Sequence, residues 1–267
     1  MRIDYFVSPG KKAAVFAIIT VIVFSAFSLK NKETTIYIIG DSTVADYSLD
    51  IDYHTKRYPA AGWGQMLKAF LIKDSLKLVR GILNNAKEVK IDNRAKAGRS
   101  SRTFFQEGRW ADIYKSLKKG DVVMIQFGHN DSWKEKPERY VNVEGFKEYL
   151  RLFSNQTKEK GAVPVLLTPV TRNYPWKDGE LMDSHGEYAD AVKAVANELQ
   201  VKVIDLNTLS RAFFTKIGED NVTGKYFMNL KPGQYVAFPN GLNDNYHFQI
   251  EGAREVSRLI FNAMKKF

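Results

Sequence analysis

Five short runs along the chain are apolar and rich in β-branched residues: Thr35 to Ile39, Val89 to Arg94, Asp121 to Phe127, Ala162 to Leu167 and Val201 to Asp205. Each leads into a longer stretch in which apolar side chains recur every three or four residues. These stretches are Gly64 to Leu71, Ser101 to Leu117, Val143 to Lys160, Gly186 to Leu199 and Leu206 to Lys216, and a last one runs from about Ile250 to Lys265. Short β-branched runs suit strands buried on both faces, and the 3.6-residue period suits helices with one apolar side. Strand and helix in alternation predict an α/β fold, a parallel sheet covered by helices on both faces. Ligands of such sheets bind outside the carboxyl ends of the strands. That rule singles out Gly40-Asp41-Ser42-Thr43, Ala97-Gly98-Arg99-Ser100-Ser101-Arg102 and Gly128-His129-Asn130-Asp131, which follow the first three strands.

The first residues differ in kind. Arg2, Lys11 and Lys12 precede an uncharged apolar run from Ala13 to Leu29 that ends in Ser25-Ala26-Phe27-Ser28. A basic start, an apolar stretch and small residues read as an export signal, and the run also reaches the lower limit for a membrane-spanning helix. Residues 1–29 are therefore read as a signal peptide or an N-terminal membrane anchor. Residues 30–267 form the catalytic domain, exported to the periplasm or secreted, with membrane contact only where the first segment stays attached. Cysteine is absent, which excludes disulfides, thiolate metal sites, a lipid-modified cysteine and a cysteine nucleophile.

Lysine and arginine number 40 against 30 acidic residues, a net charge of +10 that falls to +8 without residues 1–28. The charges are dispersed, with no compact basic block and no nucleic-acid motif, so a nucleic-acid partner is not expected. A polyanionic substrate is compatible with the balance. The 44% hydrophobic content is ample for one core, and no internal repeat is present.

Serine hydrolysis of an ester needs a nucleophile, a base, a group that orients the base, and donors for the oxyanion. Ser42 lies at a strand-to-helix turn, where Gly40 permits a tight backbone and a helix amino terminus would favour negative charge. Its backbone N–H, that of Gly98 and the Asn130 side-chain amide are the candidate oxyanion donors. His247 is the candidate base, with Asp244 three residues earlier in one loop to hold its far ring nitrogen. The Gly-x-Ser-x-Gly elbow of the α/β-hydrolases is missing, which disfavours that fold.

These blocks together resemble the SGNH/GDSL hydrolases, whose Ser, Gly, Asn and His occur in this chain order. Within them the likeness is to rhamnogalacturonan acetylesterases. It rests on Ile39-Gly40-Asp41-Ser42-Thr43, Gly62-Trp63-Gly64-Gln65, Gly98 to Phe104, Gln126 to Asp131, and Asp244-Asn245-Tyr246-His247-Phe248. The resemblance implies a flavodoxin-like three-layer α/β/α sandwich around a five-stranded parallel sheet. It also implies hydrolysis without metal or other cofactor, and an oxyanion hole of Ser42, Gly98 and Asn130. The activity it implies is removal of acetyl groups from a plant cell-wall polysaccharide, pectic rhamnogalacturonan, through an acetyl-serine intermediate in a monomeric enzyme. A lipid esterase or lysophospholipase of the same fold and an inert carbohydrate-binding module remain alternatives. Two positions depart from the relatives: Tyr246 stands where threonine is usual, and Ala97 where many have a second glycine.

Other residues carry weaker signals. Arg99 and Arg102 beside the crevice suit galacturonate carboxylates, since a guanidinium fork matches a carboxylate. Asp41 reads as a turn residue that binds its neighbours' N–H groups. His129 reads as a structural histidine beneath its loop, and His54 and His185 as loop or surface histidines, with His185 the reserve base. Trp63 reads as packing, and Trp133 as either packing or a platform for sugar.

Overall fold

The structure is a computed structural model that describes residues 33–83 and 86–267; the export segment read at residues 1–29 lies outside them. Five strands build one all-parallel sheet: β1 (Glu33–Gly40), β2 (Glu88–Asn93), β3 (Val122–Gln126), β4 (Val163–Leu167) and β5 (Lys202–Ile204). Their order across the sheet is β2-β1-β3-β4-β5. The chain steps outward from β1 to β2 and then returns past β1 to β3, which leaves a crevice at the carboxyl ends of β1 and β3. Gly40 pairs with Gln126 in the register, so both strands end together and deliver the segments after them side by side.

The period-two alternation of a strand sorts the core into two layers. Ile36, Ile38 and Met124 face one side, where α5 (Leu206–Ile217), α6 (Glu219–Tyr226), α7 (Ile250–Met264) and the helical turns between residues 63 and 83 cover them. Tyr37, Ile39, Val123 and Ile125 face the other side, under α1 (Ser101–Gln106), α2 (Arg109–Ser116), α3 (Val143–Glu159) and α4 (Glu187–Leu199). The result is the three-layer sandwich. All five residues of β3 are buried, whereas the edge strand β2 exposes Glu88 and Lys90. Charge on that edge discourages pairing with another chain. Burial of rings such as Trp110, Phe146 and Phe153 stabilises the second layer by roughly 1.5–3 kcal/mol each.

Two elements differ from their expected form, and a third, α6, lies outside the expected helices. The helix expected over Ser101 to Leu117 is broken at Gly108, whose φ of +73° is left-handed, into α1 and α2. The expected Gly64 to Leu71 helix is a helical turn at Trp63–Met66 continued by a 3₁₀ turn at Leu67–Phe70. Helix α6 carries no apolar stripe and buries only Val222 and Tyr226, a single i, i+4 pair in a polar segment. Among the described residues, no helix is long and apolar enough to cross a membrane.

Candidate active site

β1 ends at Gly40, where nothing larger fits: a Cβ there would stand 2.5 Å from the Gln126 carbonyl oxygen and 2.6 Å from Val44 Cγ2. Asp41 then folds the chain back. Its carbonyl accepts from Val44 N and Ala45 N (3.2 and 3.1 Å), and its Oδ1 accepts from Thr43 N and Oγ1 (2.9 and 2.8 Å). Ser42 therefore rides on an isolated turn followed by a 3₁₀ segment at Tyr47–Leu49, and the helix amino terminus expected behind it is not there. The turn is held from both sides. Tyr47 Oη donates to the Ser42 carbonyl (3.0 Å), and Gln126 Nε2 donates to Thr43 Oγ1 (2.8 Å) while its Oε1 accepts from the fully buried Trp63 indole (2.8 Å). Complete burial pushes the Asp41 carboxyl up to about 6 against the Thr43 hydrogen bonds.

The opposite wall is the loop ahead of α7. Asp244 Oδ1 accepts from the backbone N–H of Tyr246 (2.8 Å) and His247 (3.1 Å), so the carboxylate organises its own loop. Its Oδ2 lies 2.7 Å from His247 Nδ1, and His247 Nε2 lies 2.9 Å from Ser42 Oγ. An ionised carboxylate only accepts, so Nδ1 carries the ring proton and Nε2 accepts from the serine hydroxyl. Burial raises Asp244, but the His247 hydrogen bond and charge and the two backbone N–H groups outweigh it and hold the carboxyl below its ordinary value. Asn229 and Asn173 brace the loop: both donate to Asn245 Oδ1 (2.9 Å each), and Asn229 also donates to the Asp244 carbonyl (3.2 Å).

The third wall joins the loops after β2 and β3. Gly98 is left-handed (φ +79°), a conformation that favours glycine and turns the backbone into the cleft. Ser100 caps α1 through a reciprocal box with Thr103. Asp131 ties the loops together: Oδ1 accepts from Ser101 N (2.9 Å) and its hydroxyl, and Oδ2 accepts from Gly128 N (3.1 Å). Burial pushes Asp131 up to about 7 against the Ser101 bonds. Asn130 between them donates from Nδ2 to the Arg99 carbonyl (3.0 Å) and accepts at Oδ1 from Arg139 Nη1 (3.0 Å).

Ser42, Gly98, Asn130, Asp244 and His247 thus converge on one cleft of about 390 Å³. Arg99 and Arg102 do not. Arg99 Nε pairs with Glu107 (3.0 Å), and Arg102 Nη2 donates to the Pro137 carbonyl (2.8 Å), so neither guanidinium lines the cleft. Lys56, Arg57 and Arg139 line it instead, with Tyr47, Trp133, Met228, Phe238 and Leu242. Arg139 lies beyond the Gly128 to Asp131 block that the strand-end rule singled out and was missed, and nothing local marked Lys56 and Arg57. His54 is exposed against Tyr53. His185, expected in a loop or at the surface, lies in the loop before α4 and is buried there. Its Nε2 lies 3.2 Å from His129 Nδ1 and its Nδ1 lies 3.4 Å from Asn207 Nδ2, away from Ser42. Tyr246, the departure from threonine, stacks on Trp133 with ring centres 5.9 Å apart at 11°.

A serine hydroxyl on an imidazole, an imidazole on a carboxylate, and donors facing the same cleft can transfer an acyl group from an ester. The family model for GDSL-like lipase/acylhydrolase matches residues 36–260. The chain belongs to this family of carboxylic ester hydrolases. It is 33% identical to the rhamnogalacturonan acetylesterase RhgT of Bacillus subtilis over 89% of its own length and 92% of the relative's. It is 36% identical to the probable rhamnogalacturonan acetylesterase YesY of the same organism, over 86% and 92%. The crystal structure of the YxiM protein of B. subtilis superposes with a TM-score of 0.70 at 30% identity, covering 88% of this chain and 57% of that one.

Proposed function

We propose that the chain is a serine acetylesterase that deacetylates a plant cell-wall carbohydrate, pectic rhamnogalacturonan. The observation that carries the chemistry is the relay from Ser42 Oγ to His247 Nε2 (2.9 Å) and from Nδ1 to Asp244 (2.7 Å) at the floor of an open cleft. Ser42 Oγ attacks the acetyl carbonyl carbon as its proton passes to His247 Nε2, and Asp244 stabilises the imidazolium. The N–H groups of Ser42 and Gly98 and the Asn130 amide hold the oxyanion. His247 then gives its proton to the departing sugar oxygen as the ester C–O bond breaks. Water attacks the acetyl-serine, its proton goes to Nε2, and acetate leaves as Ser42 regains a proton.

The substrate class is supported by the names of the relatives and by the rim of the cleft. Arg57 commits Nε to Asp50 (2.8 Å) and leaves its two Nη groups without a protein hydrogen bond among the described residues, a fork suited to a uronate carboxylate. Trp133 lines the same cleft. The reading of residues 1–29 as an export segment accords with a polymer substrate outside the cell. Acetate release from acetylated rhamnogalacturonan, acetylated xylan and an aryl acetate, measured with the full chain and its Ser42→Ala variant, tests the proposal. Release from the pectic polymer that vanishes in the variant supports it. Release from xylan alone reassigns the polymer, a preference for long acyl chains restores the lipid-esterase alternative, and polysaccharide binding without acetate release favours an inert module.

A further inference from the structure

We propose that Arg139 is a positioning residue that locks the Asn130 amide in the orientation that donates into the oxyanion hole; this rests on the esterase reading above. An asparagine amide has two ends of nearly equal size and opposite chemistry, and only its N–H end can stabilise an oxyanion. Both ends of Asn130 are specified. Arg139 Nη1 can only donate and takes Oδ1 at 3.0 Å, while the Arg99 carbonyl can only accept and takes Nδ2 at 3.0 Å. A half-turn of the amide would set NH₂ against the guanidinium and Oδ1 against a carbonyl oxygen. One Nδ2 proton stays uncommitted on a residue that is buried yet lines the cleft.

Arg139 is itself fixed, so the clamp is formed before substrate arrives. Its guanidinium lies over the Trp133 ring at 5.4 Å, Trp133 stacks on Tyr246, and Nε faces Glu138 at 3.4 Å. Arg139 Nη1 also lies 3.8 Å from the point a Cβ on Gly98 would occupy. The guanidinium thus abuts two of the three segments that supply oxyanion donors, those of Gly98 and Asn130, and its charge adds to the field there.

Hydrolysis of a neutral aryl acetate tests this, because that substrate has no carboxylate for an arginine to bind. The full chain is compared with Arg139→Met, Asn130→Ala and the double variant. Arg139→Met is expected to lower kcat roughly 10- to 100-fold, less than loss of a whole donor, with KM changed less than about twofold. In the Asn130→Ala background the same change is expected to cost under about threefold, since the residue it orients is gone. Arg139→Lys, which keeps a donor for Oδ1, is expected to recover most of kcat. Asn130→Asp retains the arginine contact but no N–H, and is expected to be as slow as Asn130→Ala. Additive losses in the cycle, an effect on KM alone, or an active Asn130→Asp enzyme would overturn the assignment. An enzyme active on aryl acetate but on no pectic polymer would sink the substrate reading and leave this result standing.

Discussion

A histidine–carboxylate pair and a histidine–histidine pair lie near the carboxyl ends of the strands, and they are built for opposite ends. His247 faces a carboxylate at 2.7 Å and a serine hydroxyl at 2.9 Å, with 37% of its side chain exposed. His129 faces His185 at 3.2 Å, ring centres 4.5 Å apart at 87°, and both are buried. Burial lowers both of the latter well below the ordinary histidine value, helped by the charge of Arg172, so they are neutral hydrogen-bonding groups. An imidazole beside an ionised carboxylate can take up a proton and return it; an imidazole boxed in by another ring and a guanidinium cannot. The residue type is the same, and the partner decides what it does.

The sharpest way to break the contrast is to remove each histidine. His247→Ala and Ser42→Ala should each lower kcat on the order of 10⁶-fold, and the double variant should be little worse, because in the proposed mechanism nucleophile and base act as a unit. His185→Gln should leave kcat within about threefold and cost stability instead, about 1–3 kcal/mol for the broken buried hydrogen bond. Steady-state kinetics alongside urea unfolding would separate the two, and a collapse of kcat in a folded His185→Gln protein would erase the distinction.

Asp244→Asn asks whether the partner matters as much as the ring. An amide at that position can offer N–H to Nδ1, which favours the wrong tautomer, and it cannot stabilise an imidazolium. A fall in kcat of about 10⁴-fold with KM little changed is expected. A loss below about tenfold would mean that loop geometry alone orients His247, through the backbone bonds that Asn229 and Asn173 brace.

This contrast was only partly legible in the chain. The central strands were plain because burial on both faces demands runs like Val122 to Ile125 that no helix face imitates, and the edge strands β2 and β5 kept enough β-branched residues to follow them. That Ser42, His247 and Asp244 would meet was legible because Ser42 and His247 each stand next to a regular element and Asp244 precedes His247 at a spacing one loop can close. Arg99 and Arg102 sit beside the crevice in sequence. The capped start of α1 sends Arg99 to Glu107 and Arg102 to the loop at Pro137, which only the fold decides. Lys56 and Arg57 reach the cleft from a segment far from any main strand end. His185 had no partner in sequence, since His129 lies 56 residues away.

A smaller effect separates the pairs through the pH dependence of stability. His129 and His185 stay unprotonated in the folded chain while the unfolded chain binds protons there below about 6.5, so their contribution falls as pH falls below that value. Asp41 at about 6 and Asp131 at about 7 do the reverse. They keep protons that the unfolded chain releases above about 3.9, so their contribution falls as pH rises through 4 to 7. Near pH 5 the two protons taken up and the two released on unfolding offset each other, and the unfolding free energy should be nearly flat. His185→Gln removes one uptake site. Relative to the unaltered chain, its stability should decline by about 1.2 kcal/mol as pH rises from 5 to 6, read from urea midpoints at both values. A parallel pair of curves would mean that His185 titrates alike in both states.

Arg172 allows burial and charge to be told apart within the buried pair. Its Nη2 donates to the His129 carbonyl (3.2 Å) and Ser132 Oγ (3.1 Å), and its Nη1 donates to the Ser184 carbonyl (3.0 Å). Charge from Arg172 lowers both histidines, but burial is the larger cause in each. Arg172→Met should therefore raise their values only part of the way toward 6.5 and soften the acid-side loss of stability by less than His185→Gln does. Histidine ring resonances followed by NMR from pH 7 to 4 would show it as titration that begins within the range for His129 and His185. If both rings titrated at the ordinary histidine value once the guanidinium was gone, charge and not burial would be what keeps this pair from acting as a base.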